Sequence, residues 1–115
     1  MIYRPTLLPT VQSKRMRQSA KGMPCTARIS SVAGLSCTGE ETTVLAHLPG
    51  YGGGVAAKNT DLGALYACYQ CHELIDNRLK SDIHNDPEYW QRLLFGLQET
   101  HALMLGEGII SVAGA

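Results

Sequence analysis

Four cysteines constrain this chain more than any other feature. Cys68-Tyr-Gln-Cys71 forms one C-x-x-C pair, and Cys25 and Cys37 stand in a separate, earlier segment. A secretion leader places basic residues before an apolar run. Residues 1–18, MIYRPTLLPTVQSKRMRQ, have them in the reverse order. The expected compartment is therefore cytoplasmic, where thiols stay reduced and serve metal or redox chemistry. Two pairs separated by about thirty residues fit one tetrahedral Cys₄ zinc site. A lone C-x-x-C also suits thioredoxin-like redox chemistry, but that needs a preceding strand within a βαβ unit, which the local pattern does not suggest. Four unrelated buried thiols are the remaining alternative.

A chain of 115 residues is long enough for one domain and too short for two. No run of about 18 apolar residues is present, so no membrane-spanning helix is expected. Net charge is zero, but it is segregated. Residues 1–30 hold Arg4, Lys14, Arg15, Arg17, Lys21 and Arg28 without a single acid. All ten acids and four Lys or Arg fall in residues 31–115. Zero net charge argues against a general coat for polyanions, yet the basic first quarter can pair with phosphates locally. Lys14, Arg15, Arg17, Lys21 and Arg28 are the candidate nucleic-acid contacts; a solvated tail is the plainer reading. The division that follows is a basic lead-in over 1–22 and a zinc-stapled domain over 23–115.

Pro5 and Pro9 prevent a long helix at the start. Thr26–Ser30 reads as a short strand, and Thr42–Leu48, with its β-branched opening, as a clearer one, stopped by Pro49. Gly50-Tyr51-Gly52-Gly53-Gly54 lacks the phosphate-cradling G-x-x-x-x-G-K-[ST] order and reads as a connection. Asp61 is a candidate helix N-cap, ahead of a partly apolar helical face from Leu62 to about Lys80 that contains the C-x-x-C knuckle. The strongest element is a final helix. Asp86 caps it, Pro87 occupies its first position, and Tyr89, Trp90, Leu93, Leu94, Leu97, His101, Met104 and Leu105 recur at helical spacing. Tyr89, Trp90 and His101 are expected on its packed face. Gly106 and Gly108 close it, and Ile109–Val112 adds a strand or docks on the core. His84 falls in a turn.

Three residues near the cysteines carry candidate chemistry. His47 ends the second strand and can take a proton from an attacking water. His72 follows Cys71, and Asp76 lies four positions further, on the same face if helical. Together an imidazole and a carboxylate can hold a divalent cation with open positions, which suits phosphodiester hydrolysis. The plainer readings are a satisfied histidine, a neighbour of the zinc site, and a surface pairing of Asp76 with Arg78 or Lys80.

A strand ending in His, a loop, an Asp-Leu segment and then Cys-x-x-Cys-His resembles the HNH, or ββα-metal, nuclease motif. More narrowly, Met23-Pro24-Cys25, Glu41-Thr42-Thr43-Val44-Leu45-Ala46-His47 and Ala67-Cys68-Tyr-Gln-Cys71-His72-Glu-Leu-Ile-Asp76-Asn-Arg78 are similar to the YbcO-like family of small phage and prophage nucleases. That resemblance implies an α+β fold: a small ββα-metal domain with a structural zinc, plus the long C-terminal helix. It implies a DNA endonuclease, with His47 as general base, His72 and Asp76 as ligands of a catalytic ion (Mg or another divalent cation), and Asp61 in the place of the motif's middle Asn. The position before the base, commonly a metal ligand, is Ala46. The expected partner is nucleic acid, DNA before RNA, with no membrane; the sequence sets no oligomeric state. The alternative is a non-catalytic zinc module that binds nucleic acid or protein.

Overall fold

The computed structural model describes residues 10–48, 60–76 and 81–114. Pro5, Pro9 and Arg4, the glycine segment 50–54 with Pro49, and Arg78 and Lys80 lie outside the described residues. Helix α1 spans Lys14–Ser19, strand β1 Val44–His47, strand β2 Ala64–Ala67, helix α2 Tyr69–Ile75 and helix α3 Pro87–Gly106, with four short 3₁₀ turns between them. The architecture is α+β. The strands form one antiparallel pair, with Val44 opposite Ala67, Leu45 opposite Tyr66, Ala46 opposite Leu65 and His47 opposite Ala64. The chain then enters α2 one residue after β2, so strand, strand and helix follow in ββα order.

Successive side chains of a strand face opposite sides, and the core divides accordingly. Ala46, Leu65 and Ala67 meet Cys68, Cys71, Leu74 and Ile75 of the α2 segment, with Tyr89 and Leu93 of α3. Leu45, Ala64 and Tyr66 face the other way, onto Met16 and Ala20 beside α1 and Met104 near the end of α3. Residues of the basic lead-in thus contribute to the core: Met16 and Ala20 are buried. Ser13 caps α1 by accepting from the Met16 amide at 3.1 Å.

Helix α3 runs along the outer edge of β2. The Tyr66 amide, pointing away from β1, donates to Thr100 Oγ1 at 3.1 Å. The Tyr66 carbonyl accepts from the amides of Thr26 and Ala27 at 2.8 and 3.2 Å. An open strand edge is a liability, and here a helix and a loop close it together. The approach is tight: a Cβ on Gly96 would lie 2.5 Å from the Thr26 carbonyl oxygen. Asp86 and Pro87 start α3 as expected, the Asp86 carboxylate accepting from the Glu88 amide at 2.9 Å. Gly108, at φ +71°, turns the chain so that the Ile109 amide reaches the Met104 carbonyl at 2.8 Å.

Several sequence expectations need correction. Thr26–Ser30 is not a strand. Arg28 takes a left-handed φ of +49°, which breaks any extended run, and Ser30–Ala33 is a 3₁₀ turn. The helix expected from Leu62 is a strand over Ala64–Ala67, preceded by a 3₁₀ turn whose N-cap is Thr60, not Asp61. A strand therefore does precede the C-x-x-C pair, but in an antiparallel hairpin and not a βαβ unit. Tyr89 is buried, whereas Trp90 is half exposed and donates its indole N–H to the His84 carbonyl at 2.9 Å. His101 is not a core residue; it bonds the Leu62 carbonyl at 2.8 Å on the surface. Ile109 and Ile110 dock on the core without forming a strand.

Candidate metal centre and active site

The four cysteine sulfurs lie within 4.8 Å of one another. Cys25 comes from the loop after α1, Cys37 from the loop between the first two 3₁₀ turns, and Cys68 and Cys71 from the start of α2. Cys68 is that helix's N-cap, its sulfur accepting from the Cys71 amide at 3.5 Å. The Cys37 arm is fastened to the same helix end. Thr42 Oγ1 accepts from the Tyr69 amide at 3.0 Å, Thr38 Oγ1 accepts from the Gln70 amide at 3.3 Å, and the two hydroxyls bond each other at 2.9 Å. A short helix N-terminus thus receives two partners from the segment that delivers a ligand.

The spacing tests the fit to an ion. Cys37 Sγ lies 3.9 Å from Cys25 Sγ and 3.7 Å from Cys71 Sγ. A Zn–S bond of about 2.3 Å in a tetrahedron gives sulfur separations of about 3.8 Å. Neither distance is that of a disulfide, and all four thiols are free. The cluster therefore fits a Cys₄ zinc ion, as the sequence spacing predicts. Without an ion, the thiols share protons unequally. The hydrogen bond from Cys71 lowers Cys25 to about 5 and raises Cys71 itself. Burial, and then the charge of Cys25, push Cys37 up to about 11. Ser30 Oγ lies 3.0 Å from Cys71 Sγ, placed to donate to a thiolate.

A second constellation centres on Asp61. Its side chain is fully buried. Oδ1 lies 2.7 Å from His47 Nε2. Oδ2 accepts from the Ser13 amide at 2.6 Å and from Arg17 Nη1 at 2.8 Å. Burial pushes the Asp61 carboxyl up, but the Ser13 amide, His47 and Arg17 together outweigh it and hold the group below the usual carboxylate range. An ionised Asp61 requires a proton on His47 Nε2. In neutral imidazole that leaves Nδ1 with the lone pair. His47 remains about one-third exposed.

The third group is His72 with Asp76. His72 Nε2 lies 3.1 Å from Asp76 Oδ2. That is the separation of a hydrogen bond between residues four apart on one helix face. Among the described residues, the only cluster of three or more metal-ligating side chains is the cysteine set. Ala46 faces the α2 side of the sheet and is fully buried. It offers no ligand atom. Strand alternation turns His47 to the other side, toward Asp61 and α1.

Of the basic residues singled out, Arg17 pairs with Asp61 and Arg28 holds Glu99 through two bonds of 2.7–2.8 Å. Lys14, Arg15 and Lys21 are exposed and form no ion pair with a described residue. His84 sets both ring nitrogens beside carbonyls, Nε2 at 2.9 Å from Leu74 and Nδ1 at 3.3 Å from Ser81. The sequence placed Asp61 near the site but not on His47. It also missed Ser13 and Arg17 as the carboxylate's other partners, because nothing local signals a contact between positions so far apart.

Comparison with known proteins extends this picture. A model of the family described as "Putative nuclease YbcO" matches residues 14–106. Two curated relatives share 38% identity over 98 residues, covering 83% of this chain and 95% of theirs: "Putative nuclease YbcO" of Escherichia coli strain K12 and "Putative nuclease ybcO" of Enterobacteria phage 82. A solved structure, "Structure of a putative bacteriophage protein from Escherichia coli str. K-12 substr. MG1655", superposes with a TM-score of 0.60 at 36% identity. It covers 82% of this chain and 100% of that one.

Proposed function

Because the chain belongs to the YbcO nuclease family, we propose that it is a metal-dependent DNA endonuclease of HNH type. The observation that carries this reading is the 2.7 Å contact of His47 Nε2 with the buried carboxylate of Asp61. A histidine held by an ionised, buried acid is oriented and kept in one tautomer, which a general base needs.

The chemistry assigned to the chain is phosphodiester hydrolysis. A water oxygen attacks phosphorus while His47 Nδ1 accepts its proton, and the opposite P–O bond breaks. Asp61 stabilises the imidazolium that forms and does not itself take the proton. His72 and Asp76 would hold the catalytic cation, which when bound supplies charge neutralisation at the phosphate oxygens. Two protein ligands leave the remaining positions to water and substrate, a normal arrangement for Mg²⁺. The four cysteines would hold zinc in a structural role, fixing the start of α2 and hence the position of His72. Lys14, Arg15 and Lys21 are free to approach the backbone of a bound strand, and the reaction's setting is inside the cell.

The test is cleavage of single- and double-stranded DNA with and without Mg²⁺ or Mn²⁺. The expected result is cleavage that depends on the added cation. His72→Ala should shift that dependence to higher cation concentration while leaving zinc content unchanged. Salt-dependent DNA binding with no cleavage under any cation would instead support a non-catalytic zinc module, for which the buried Ala46 is the favouring observation.

A further inference from the structure

A groove of about 490 Å³ lies between α1 and the entry to β1, lined by Arg17, Gln18, Lys21, Glu41, Thr42, Thr43 and Val44. Its volume falls in the range of small-ligand sites. We propose that this groove holds one flanking nucleotide of the substrate strand, its phosphate on Lys21 and Arg17 and an amino-bearing base at Glu41. The proposal rests on the nucleic-acid reading above and adds a specificity subsite to it.

Three observations converge. First, the α1 wall is cationic and available. Lys21 has no carboxylate partner among the described residues, and Arg17 commits only Nη1 to Asp61, so the rest of its five-donor fork is free. Second, the opposite wall carries an acceptor. Glu41 forms no ion pair with a described residue, and its exposed carboxylate, folded back over Gly39, borders the groove. Carboxylates accept from exocyclic amino groups such as cytosine N4 and are repelled by the carbonyl that thymine presents there. A site for phosphate alone has no use for this acid, whereas a nucleotide needs both walls. Third, Thr43 lines the groove, and its buried hydroxyl has no hydrogen-bond partner among the described residues. The oxygen is sealed from the groove in this conformation, so a ligand there engages it only by turning the side chain about χ1. The neighbouring Thr42 hydroxyl is already committed to Gly39 and Tyr69.

Location links the groove to the chemistry. Val44 opens β1 and His47 ends it, about 10 Å away at the rise of a strand. Arg17 both lines the groove and bonds the carboxylate that holds His47.

The experiment uses the full zinc-loaded chain without added divalent cation, titrated by fluorescence anisotropy against labelled single-stranded dC₁₂ and dT₁₂. The wild type should bind dC₁₂ at least about fivefold more tightly, the lower end of what a base contact contributes. Glu41→Gln should erase that preference. Lys21→Gln should weaken both probes alike and reduce the salt slope by about 0.7, the value of one contact on a single strand. Thr43→Val should weaken dC₁₂ while leaving the melting temperature equal or higher, since it removes an unpaired buried hydroxyl. His72→Ala, whose side chain pairs with Asp76 and not with Arg17 or Asp61, should bind as the wild type does without added cation, which separates this claim from the catalytic one. Equal affinity for the two probes, or a Lys21→Gln variant with wild-type affinity and slope, overturns the subsite. Displacement of dC₁₂ by inorganic phosphate with Glu41→Gln unchanged marks a simple anion site and overturns it too.

Discussion

Removing the zinc should unfold the middle of this protein, and the size of the effect follows from what the cysteines join. Cys25, Cys37 and the Cys68–Cys71 knuckle sit on three separate segments, and apart from the Thr38 and Thr42 bonds to the start of α2 the sulfurs are what join them. The sulfur separations of 3.7 and 3.9 Å match the edge of a ZnS₄ tetrahedron, so little strain opposes binding. Structural zinc contributes an apparent 10–16 kcal/mol in small fingers, against a total stability of about 5–15 kcal/mol for a domain. The metal's share is thus comparable to the whole. Elemental analysis of the purified chain should give one zinc per molecule. A strong chelator should collapse the circular dichroism signal and release four titratable thiols, and added zinc should restore both. Cys68→Ser, which keeps a capping side chain on α2 but removes a sulfur ligand, should fail to melt cooperatively. Cys37→Ser, at the exposed corner, should fold but hold zinc more weakly. A chain that contains no zinc, or whose melting is unchanged by chelation and by both substitutions, refutes the reasoning.

Other outcomes can be checked in the same preparations. Gly96→Ala should destabilise by about 1–3 kcal/mol, the scale of overpacking, although alanine is the better helix former; its Cβ would meet the Thr26 carbonyl oxygen at 2.5 Å, and calorimetry reads the lower Tm. Asp61→Asn should cost about 1–3 kcal/mol at neutral pH, as hydrogen bonds to a charged group are lost. Because the folded Asp61 carboxyl sits below its usual value, its contribution is complete above about pH 4 and disappears as pH falls through the folded value. The gap in Tm between wild type and Asp61→Asn should therefore narrow as pH falls below about 4, and a gap constant with pH would contradict the assignment.

What the sequence reveals and what it hides has a physical pattern. Helix α3 is legible because its signals are local: Asp86 caps, Pro87 starts, apolar spacing continues and Gly108 ends. The cysteine cluster is legible because thiol spacing is tied to ligand geometry. Strand β2 is not. Ala64-Leu65-Tyr66-Ala67 is buried on both faces because α2 and the first half of α3 pack on one and α1 and Met104 on the other, so no polar alternation remains to mark it as a strand. Leu62, Leu65, Tyr66 and Tyr69 then imitate a helical face across a turn, a strand and a helix start. Asp61 is misread for a related reason. An aspartate before an apolar run looks like a cap, whereas Thr60 caps the turn and frees the carboxylate to reach His47, fourteen positions away. Thr26–Ser30 has strand-like composition, but Arg28 adopts a left-handed turn, its side chain held by Glu99 and its carbonyl by Arg92. The chemistry-bearing types at 47, 61, 72 and 76 are visible in the sequence, while their pairing into His47–Asp61 and His72–Asp76 is a property of the fold.

The most direct test of the catalytic assignment is single-turnover cleavage of a duplex by wild type and His47→Ala, at saturating Mg²⁺ or Mn²⁺ and matched zinc content. The predicted result is a rate about 10²–10⁴-fold lower for His47→Ala, the usual contribution of a general base, far beyond any change in DNA affinity, with a melting temperature lowered because the buried Asp61 carboxylate loses a partner. Equal rates in the two proteins would contradict the account.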